Sequence, residues 1–77
     1  MNKIYEMLEE IKPEHNFKES ENFVEDGMLD SFDIISLVSM LEEEYGIVVD
    51  GLDVLPENFA TVDAIAELVK KSGGQVE

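Results

Sequence analysis

Gly27-Met28-Leu29-Asp30-Ser31-Phe32-Asp33-Ile34-Ile35-Ser36-Leu37-Val38-Ser39-Met40-Leu41-Glu42-Glu43-Glu44-Tyr45-Gly46 decides the fold of this chain. At about 100° per residue, Ile34, Leu37, Val38, Leu41 and Tyr45 fall on one narrow stripe, the signature of an amphipathic helix from about Ser31 to Tyr45. Either Asp30 or Ser31 can cap its start. Gly46 supplies the left-handed stop. Glu42, Glu43 and Glu44 crowd the last turn, where carboxylates oppose the helix macrodipole. Phe32 and Ile35 lie off the stripe, among Ser36, Ser39 and Glu42. Two readings are open for them: the apolar centre of a docking face with a polar rim, or residues covered by the preceding loop.

Working outward, the flanks supply two more helices. Ile4, Met7, Leu8 and Ile11 share one face, and Pro13 ends that first helix at about Lys12. A polar connection follows from Glu14 to Asp26, with Phe17, Phe23 and Val24 expected to anchor it on the core. Such a loop is long for a bundle, which points to a functional reason. After Gly46, Ile47-Val48-Val49 has β-propensity but no strand to pair with, so Ile47 to Leu55 reads as an extended connector. A short third helix fits near Leu55 to Phe59, with Pro56 at its first position. Thr61 then caps a last helix whose Val62, Ile65, Ala66 and Val69 share a face, and Lys70 and Lys71 suit its negative end. Gly73-Gly74 closes the structured region, leaving 72–77 as an expected flexible tail. The expectation is one all-α domain over 1–77, three main helices plus a short third one.

Composition narrows the function. The chain has 77 residues, 19 acidic and 5 basic, all of the latter Lys, for a net charge of -14. Between Lys18 and Lys70 there are 14 Asp and Glu and no basic residue. Such a surface repels phosphate backbones and anionic lipids, which argues against nucleic acid and membrane partners. A hydrophobic content of 44% argues for a folded core despite the charge. The absence of Cys removes disulfides, thiol nucleophiles and thiolate metal sites. No segment resembles a signal peptide or reaches membrane-spanning length. The reading is a cytoplasmic, monomeric protein.

Little in the chain can do catalysis. His15 is the single histidine and reads as a solvated loop residue, so a Ser-His-Asp set has little basis. Metal-ligand spacing and a phosphate-binding Gly-rich loop followed by Lys are both absent. The expectation is no catalytic residue and no metal. Ser31 is the one chemical group placed with emphasis, a hydroxyl at a helix N-terminus inside an acidic segment. Ser at a helix start is ordinarily only a cap, so the motif is weak by itself.

The wider pattern resembles the acyl carrier protein family. Asp30-Ser31-Phe32 is similar to the family's Asp-Ser-Leu or Asp-Ser-Phe motif. It follows Asp26-Gly27-Met28-Leu29 and precedes Leu37-Val38 and Leu41-Glu42-Glu43-Glu44-Tyr45-Gly46-Ile47 at the spacing of the family's second helix. Phe59-Ala60-Thr61-Val62-Asp63-Ala64-Ile65 looks like the start of its last helix. The resemblance spans nearly the whole chain. It implies a small acyl-carrier-type four-helix bundle and a 4′-phosphopantetheine arm on Ser31. A phosphopantetheinyl transferase would install the arm from coenzyme A with magnesium, the serine Oγ attacking the pyrophosphate to form a phosphodiester. The arm's thiol would carry acyl or aminoacyl groups as thioesters.

By position, Asp30, Asp33, Glu42 and Glu43 inherit the family's partner-recognition role, with Phe32 and Ile35 as apolar contacts. The implied partners are the transferase, an acyl- or aminoacyl-loading ligase, and acyltransferases or synthases with basic docking patches. Phe32, Ser36 and Ser39 depart from the fatty-acid type, where Leu, Glu and Met are more usual. Asp-Ser-Phe also looks like D-alanyl and other stand-alone aminoacyl or polyketide-type carriers. The rival reading from another class is an acidic helical interaction module that binds a basic partner and is never modified. A small hydrolase using Ser31 is a third.

Overall fold

The computed structural model describes residues 2–76. It contains three α-helices: α1 at Asn2–Ile11, α2 at Ser31–Tyr45 and α3 at Val62–Lys71. Three 3₁₀ turns punctuate the connections, at Phe17–Glu19, Gly51–Asp53 and Pro56–Phe59. No strand occurs among the described residues. The segment Ile47–Val49 alternates buried, exposed, buried as a strand would, yet it has no neighbour to pair with.

α1 packs against both α2 and α3, and the Pro56–Phe59 turn packs on α3. The core is a single cluster. Ile4 and Leu8 from α1 meet Leu37 and Leu41 from α2 and Ile65 and Val69 from α3, all fully buried. Phe17, Phe23 and Phe59 complete it from the connections. Phe17 and Phe23 stack edge to face, with centroids 5.1 Å apart, so the long first connection is anchored as its aromatics imply. Val24 also packs against the cluster. In a chain of this size three phenylalanines from loops are a large share of the available apolar burial.

Local expectations are refined or corrected. The short third helix expected near Leu55 to Phe59, with Pro56 at its first position, is a four-residue 3₁₀ turn, Pro56–Phe59. Leu55 offers no side-chain cap, and Thr61 restarts the chain as α3, so there is no room to propagate a second turn. The stretch from Ile47 to Leu55 is not extended throughout. Asp50 caps a 3₁₀ turn there by accepting the Leu52 N–H at 2.9 Å. The Phe17–Glu19 turn, with Asn16 as its cap, was equally invisible to periodicity. His15 is half-buried with its ring edge-on to Phe17 instead of freely solvated.

The chain after α3 stays against the bundle through the described residues. The Gly74 N–H donates to Val69 O at 2.8 Å, and Val76 packs on the core. A Cβ at Gly74 would come within 2.6 Å of Val69 Cγ1, so only glycine fits that close approach. The last residue of the expected tail, Glu77, lies outside the described residues, as does Met1.

Candidate functional site

The start of α2 is built by reciprocal hydrogen bonds. Asp30 is the N-cap, its Oδ1 accepting the Asp33 N–H at 2.9 Å. Asp33 answers by accepting the Asp30 N–H on Oδ2 at 3.1 Å. This is a capping box with Asp in both roles. Lys12, just past the end of α1, places its ammonium 3.5 Å from Asp33 Oδ2. The Asp30 carboxyl is held below the usual carboxylate range, first by the Asp33 backbone N–H and further by the Asp33 side chain and the Lys12 charge, against the opposing pull of burial.

Of the two candidate caps, the structure therefore chooses Asp30. Ser31 is the first residue inside the helix, and its side chain is exposed. Among the described residues its hydroxyl has no hydrogen-bond partner, so nothing competes for the oxygen.

The loop before the site is rigid by construction. Phe23 O accepts the N–H groups of Met28 and Leu29 at 2.8 and 3.2 Å, while the Phe23 N–H donates to Ala60 O at 2.7 Å. Asn22 Oδ1 accepts the N–H groups of Val24 and Glu25. Met28 and Leu29 are buried. A buried two-residue plug thus fixes the chain immediately before Asp30, and the long first connection is a mount for the start of α2.

The other sequence-predicted site residues divide into two sets. Phe32 is 81% exposed and Ile35 60% exposed, so the loop does not cover them and that alternative falls. Glu43 is exposed as well. Asp33 and Glu42 are only partly exposed and carry internal bonds. Asp33 holds the capping box and Lys12. Glu42 Oε2 accepts the Val49 N–H at 2.9 Å, which ties the connector to the last turns of α2. That bond also gives a reason for a carboxylate where the macrodipole disfavours one.

Reading by helix periodicity missed three exposed aliphatics, Val48, Leu52 and Leu55, because the connector has no helical or strand period to rank its faces. It also missed Lys12, whose role depends on a contact between α1 and α2. No group of His, Asp or Glu that could hold a metal ion occurs among the described residues, and no helix there is long and apolar enough to cross a membrane.

The chain has five serines, and α2 sorts them. Ser36 and Ser39 lie inside the helix, Ser72 caps the C-terminal end of α3, and Ser20 bonds within the first connection. Only Ser31 stands at an α-helix N-terminus, where unpaired N–H groups and the macrodipole favour an added phosphate charge. The neighbouring Asp30 and Asp33 carboxylates oppose that charge, but each already accepts a backbone N–H, and Lys12 offsets one of them.

Comparison with family models matches residues 2–69 to the family described as phosphopantetheine attachment site. No curated protein and no solved structure matches the chain. An exposed, unpartnered serine hydroxyl on a rigid mount at the positive end of a helix fits a phosphate-linked group. The match extends from α1 almost to the end of α3, so the whole bundle and not a local motif carries the assignment: the chain belongs to the phosphopantetheine attachment site family, as a non-enzymatic carrier domain whose working group is a covalently attached 4′-phosphopantetheine.

Proposed function

We propose that Ser31 is the attachment residue and that the protein carries acyl or aminoacyl groups on the arm, presenting them to partner enzymes that dock along α2. The observation that carries this reading is the division of labour at the helix start. Asp30 performs the capping, and the Ser31 oxygen is left exposed and unbonded. When bound, the arm supplies a thiol that holds cargo as a thioester. The chain's own part is to anchor that arm on a rigid end and to raise the effective concentration of cargo at partner sites. In this reading the Pro56–Phe59 turn stands where the carrier bundle has its short extra helix.

For recognition, Phe32, Ile35 and Glu43 are the residues free to contact a partner, with Asp30 contributing charge at the edge. Asp33 and Glu42 serve mainly the fold. All five lysines already face a carboxylate or, for Lys18, the Tyr5 ring. The surface left over is anionic, which favours transferases, loading ligases and synthases whose docking patches carry Lys and Arg.

The test is intact mass spectrometry after incubation with coenzyme A, magnesium and a broad-specificity phosphopantetheinyl transferase. Wild type should gain one phosphopantetheine, and Ser31→Ala should gain none while remaining folded. Absence of any gain on folded wild type would sink the assignment of Ser31 and revive the unmodified acidic interaction module.

A further inference from the structure

The chain sets five lysines against 19 acidic residues, so the place of each cation carries information. Among the described residues Lys3 pairs with Glu44 at the far end of α2, Lys70 with Glu67 inside α3, and Lys71 with Asp53 in the connector. Lys18 lies over the Tyr5 ring, 5.4 Å from its centroid. Lys12 alone of these five faces the start of α2, with Nζ 3.5 Å from Asp33 Oδ2.

That ammonium is held on a fixed stem. The Lys12 N–H donates to Leu8 O at 2.9 Å, which closes the last turn of α1, and Pro13 follows. The Lys12 side chain is 30% exposed and that of Asp33 13%, so the pair is partly withdrawn from water, where charges act more strongly than in bulk solvent. The same Asp33 Oδ2 accepts the Asp30 N–H at 3.1 Å. One carboxylate oxygen therefore links the ammonium to the backbone of the residue before Ser31. The charge of Lys12 also reaches the Asp30 carboxyl and helps to lower it. Apart from this ion pair the ammonium makes no hydrogen bond among the described residues, so its donors remain open to a further anion.

We propose that Lys12 is the counter-charge of the modified serine: an ammonium on the end of α1 that offsets the phosphodiester on Ser31 and so keeps the α1–α2 contact stable in the loaded protein. The inference rests on the reading of Ser31 given above. Attachment adds a phosphodiester anion to a helix turn that already holds the Asp30 and Asp33 carboxylates. The N–H groups of Asp30 and Asp33 are taken by those carboxylates and cannot receive the new charge. The Cα atoms of a helix lie on a cylinder of about 2.3 Å radius, so groups on its first turn stand within about 10 Å of one another, the Debye length at 0.1 M salt. Without Lys12 three anions would share that space with no cation. The capping box, by contrast, closes through its own two hydrogen bonds and needs no ammonium.

The experiment compares thermal melts of the apo and holo forms of wild type, Lys12→Met and Lys12→Arg at low ionic strength. Conversion is driven to completion with coenzyme A, magnesium and excess transferase and checked by intact mass. Met keeps a long stem without the charge. Lys12→Met should lower the holo Tm by about 2–4 °C more than it lowers the apo Tm. Sodium chloride at about 1 M should erase that excess, and Lys12→Arg should restore the wild-type difference between the two forms. Equal losses in apo and holo would confine Lys12 to the contact between α1 and α2 and overturn the proposal. An excess that survives high salt would overturn it as well, since packing and not charge would then be at work. Wild type alone gives a second measurement: on conversion the NMR signal of Lys12 Cε should shift while those of Lys3 and Lys71 stay in place. An unmoved Lys12 signal overturns the proposal even where a variant does not fold. Failure of wild type to gain the arm strikes the assignment of Ser31 instead, so the two ideas fail separately.

Discussion

At the scale of single residues, the start of α2 separates two jobs that one serine could have combined. Asp30 satisfies the Asp33 N–H, and Ser31 is left to its hydroxyl. Ser31→Ala should therefore change stability by no more than about 0.5 kcal/mol while abolishing modification, read by denaturant melts alongside mass spectrometry. A loss near the ordinary cost of a cap would mean that the serine also holds the helix. Asp30 has its own signature in pH. Its folded pKa is lowered, chiefly by the Asp33 N–H, so its stabilising effect is complete above the usual carboxylate range and disappears as pH falls through the lowered value. Asp30→Asn keeps a capping oxygen without a titrating charge. The stability gap between wild type and Asp30→Asn should narrow from neutral pH toward about pH 2, and a constant gap would refute the assignment.

At the scale of elements, each helix depends on what ends it. Thr61 Oγ1 accepts the Ala64 N–H at 3.0 Å at the start of α3. Thr61→Ala should cost about 1 kcal/mol, lowering Tm by about 4–8 °C in a domain of this size. Gly46 ends α2 at φ 64°, and a Cβ there would meet nothing within 4 Å. The cost of Gly46→Ala is then backbone strain alone, about 1–2 kcal/mol. Gly51 is equally open but has no positive φ, so Gly51→Ala should be neutral or mildly stabilising. Thermal melts of the two alanine variants side by side check this contrast, and equal losses would point to packing instead of dihedral strain.

At the scale of the whole molecule, charge governs both folding and encounter, with opposite responses to salt. The net charge of -14 is spread over a body with a radius of gyration of 11.1 Å. The Debye length is about 10 Å at 0.1 M ionic strength and about 3 Å at 1 M, so carboxylates across the bundle repel one another in dilute buffer and little in concentrated salt. Among the described residues four lysine–carboxylate pairs lie at the surface, where such pairs stabilise little. Sodium chloride should raise Tm over the range in which it raises the KM for holo formation. A KM that is flat with salt would remove the electrostatic part of docking, and a Tm that falls would mean that the ion pairs outweigh the repulsion.

By itself the sequence determined the helices α1, α2 and α3, the caps at Thr61 and Gly46, the anchoring of the first connection by Phe17 and Phe23, and the placement of Ser31 at a helix start. These follow from local rules: a period near 3.6, side chains that bond their own backbone, and glycine at positive φ. Family resemblance in the motif around Ser31 extended that reading to a phosphopantetheine carrier. Only the tertiary structure decided which of Asp30 and Ser31 caps α2, that Phe32 and Ile35 stay uncovered, that Glu42 holds the connector, and that Val48 and Leu52 point into solvent. The Asp30 cap and the Glu42 bond are made over three and seven residues, by side chains whose partners periodicity does not rank. The exposure of Phe32, Ile35, Val48 and Leu52 depends on how segments far apart in the chain pack. Lys12 meets Asp33, Phe23 meets Ala60, and Asp53 meets Lys71 only once hydrophobic burial has brought the helices together, and no periodicity within a single segment records such a meeting.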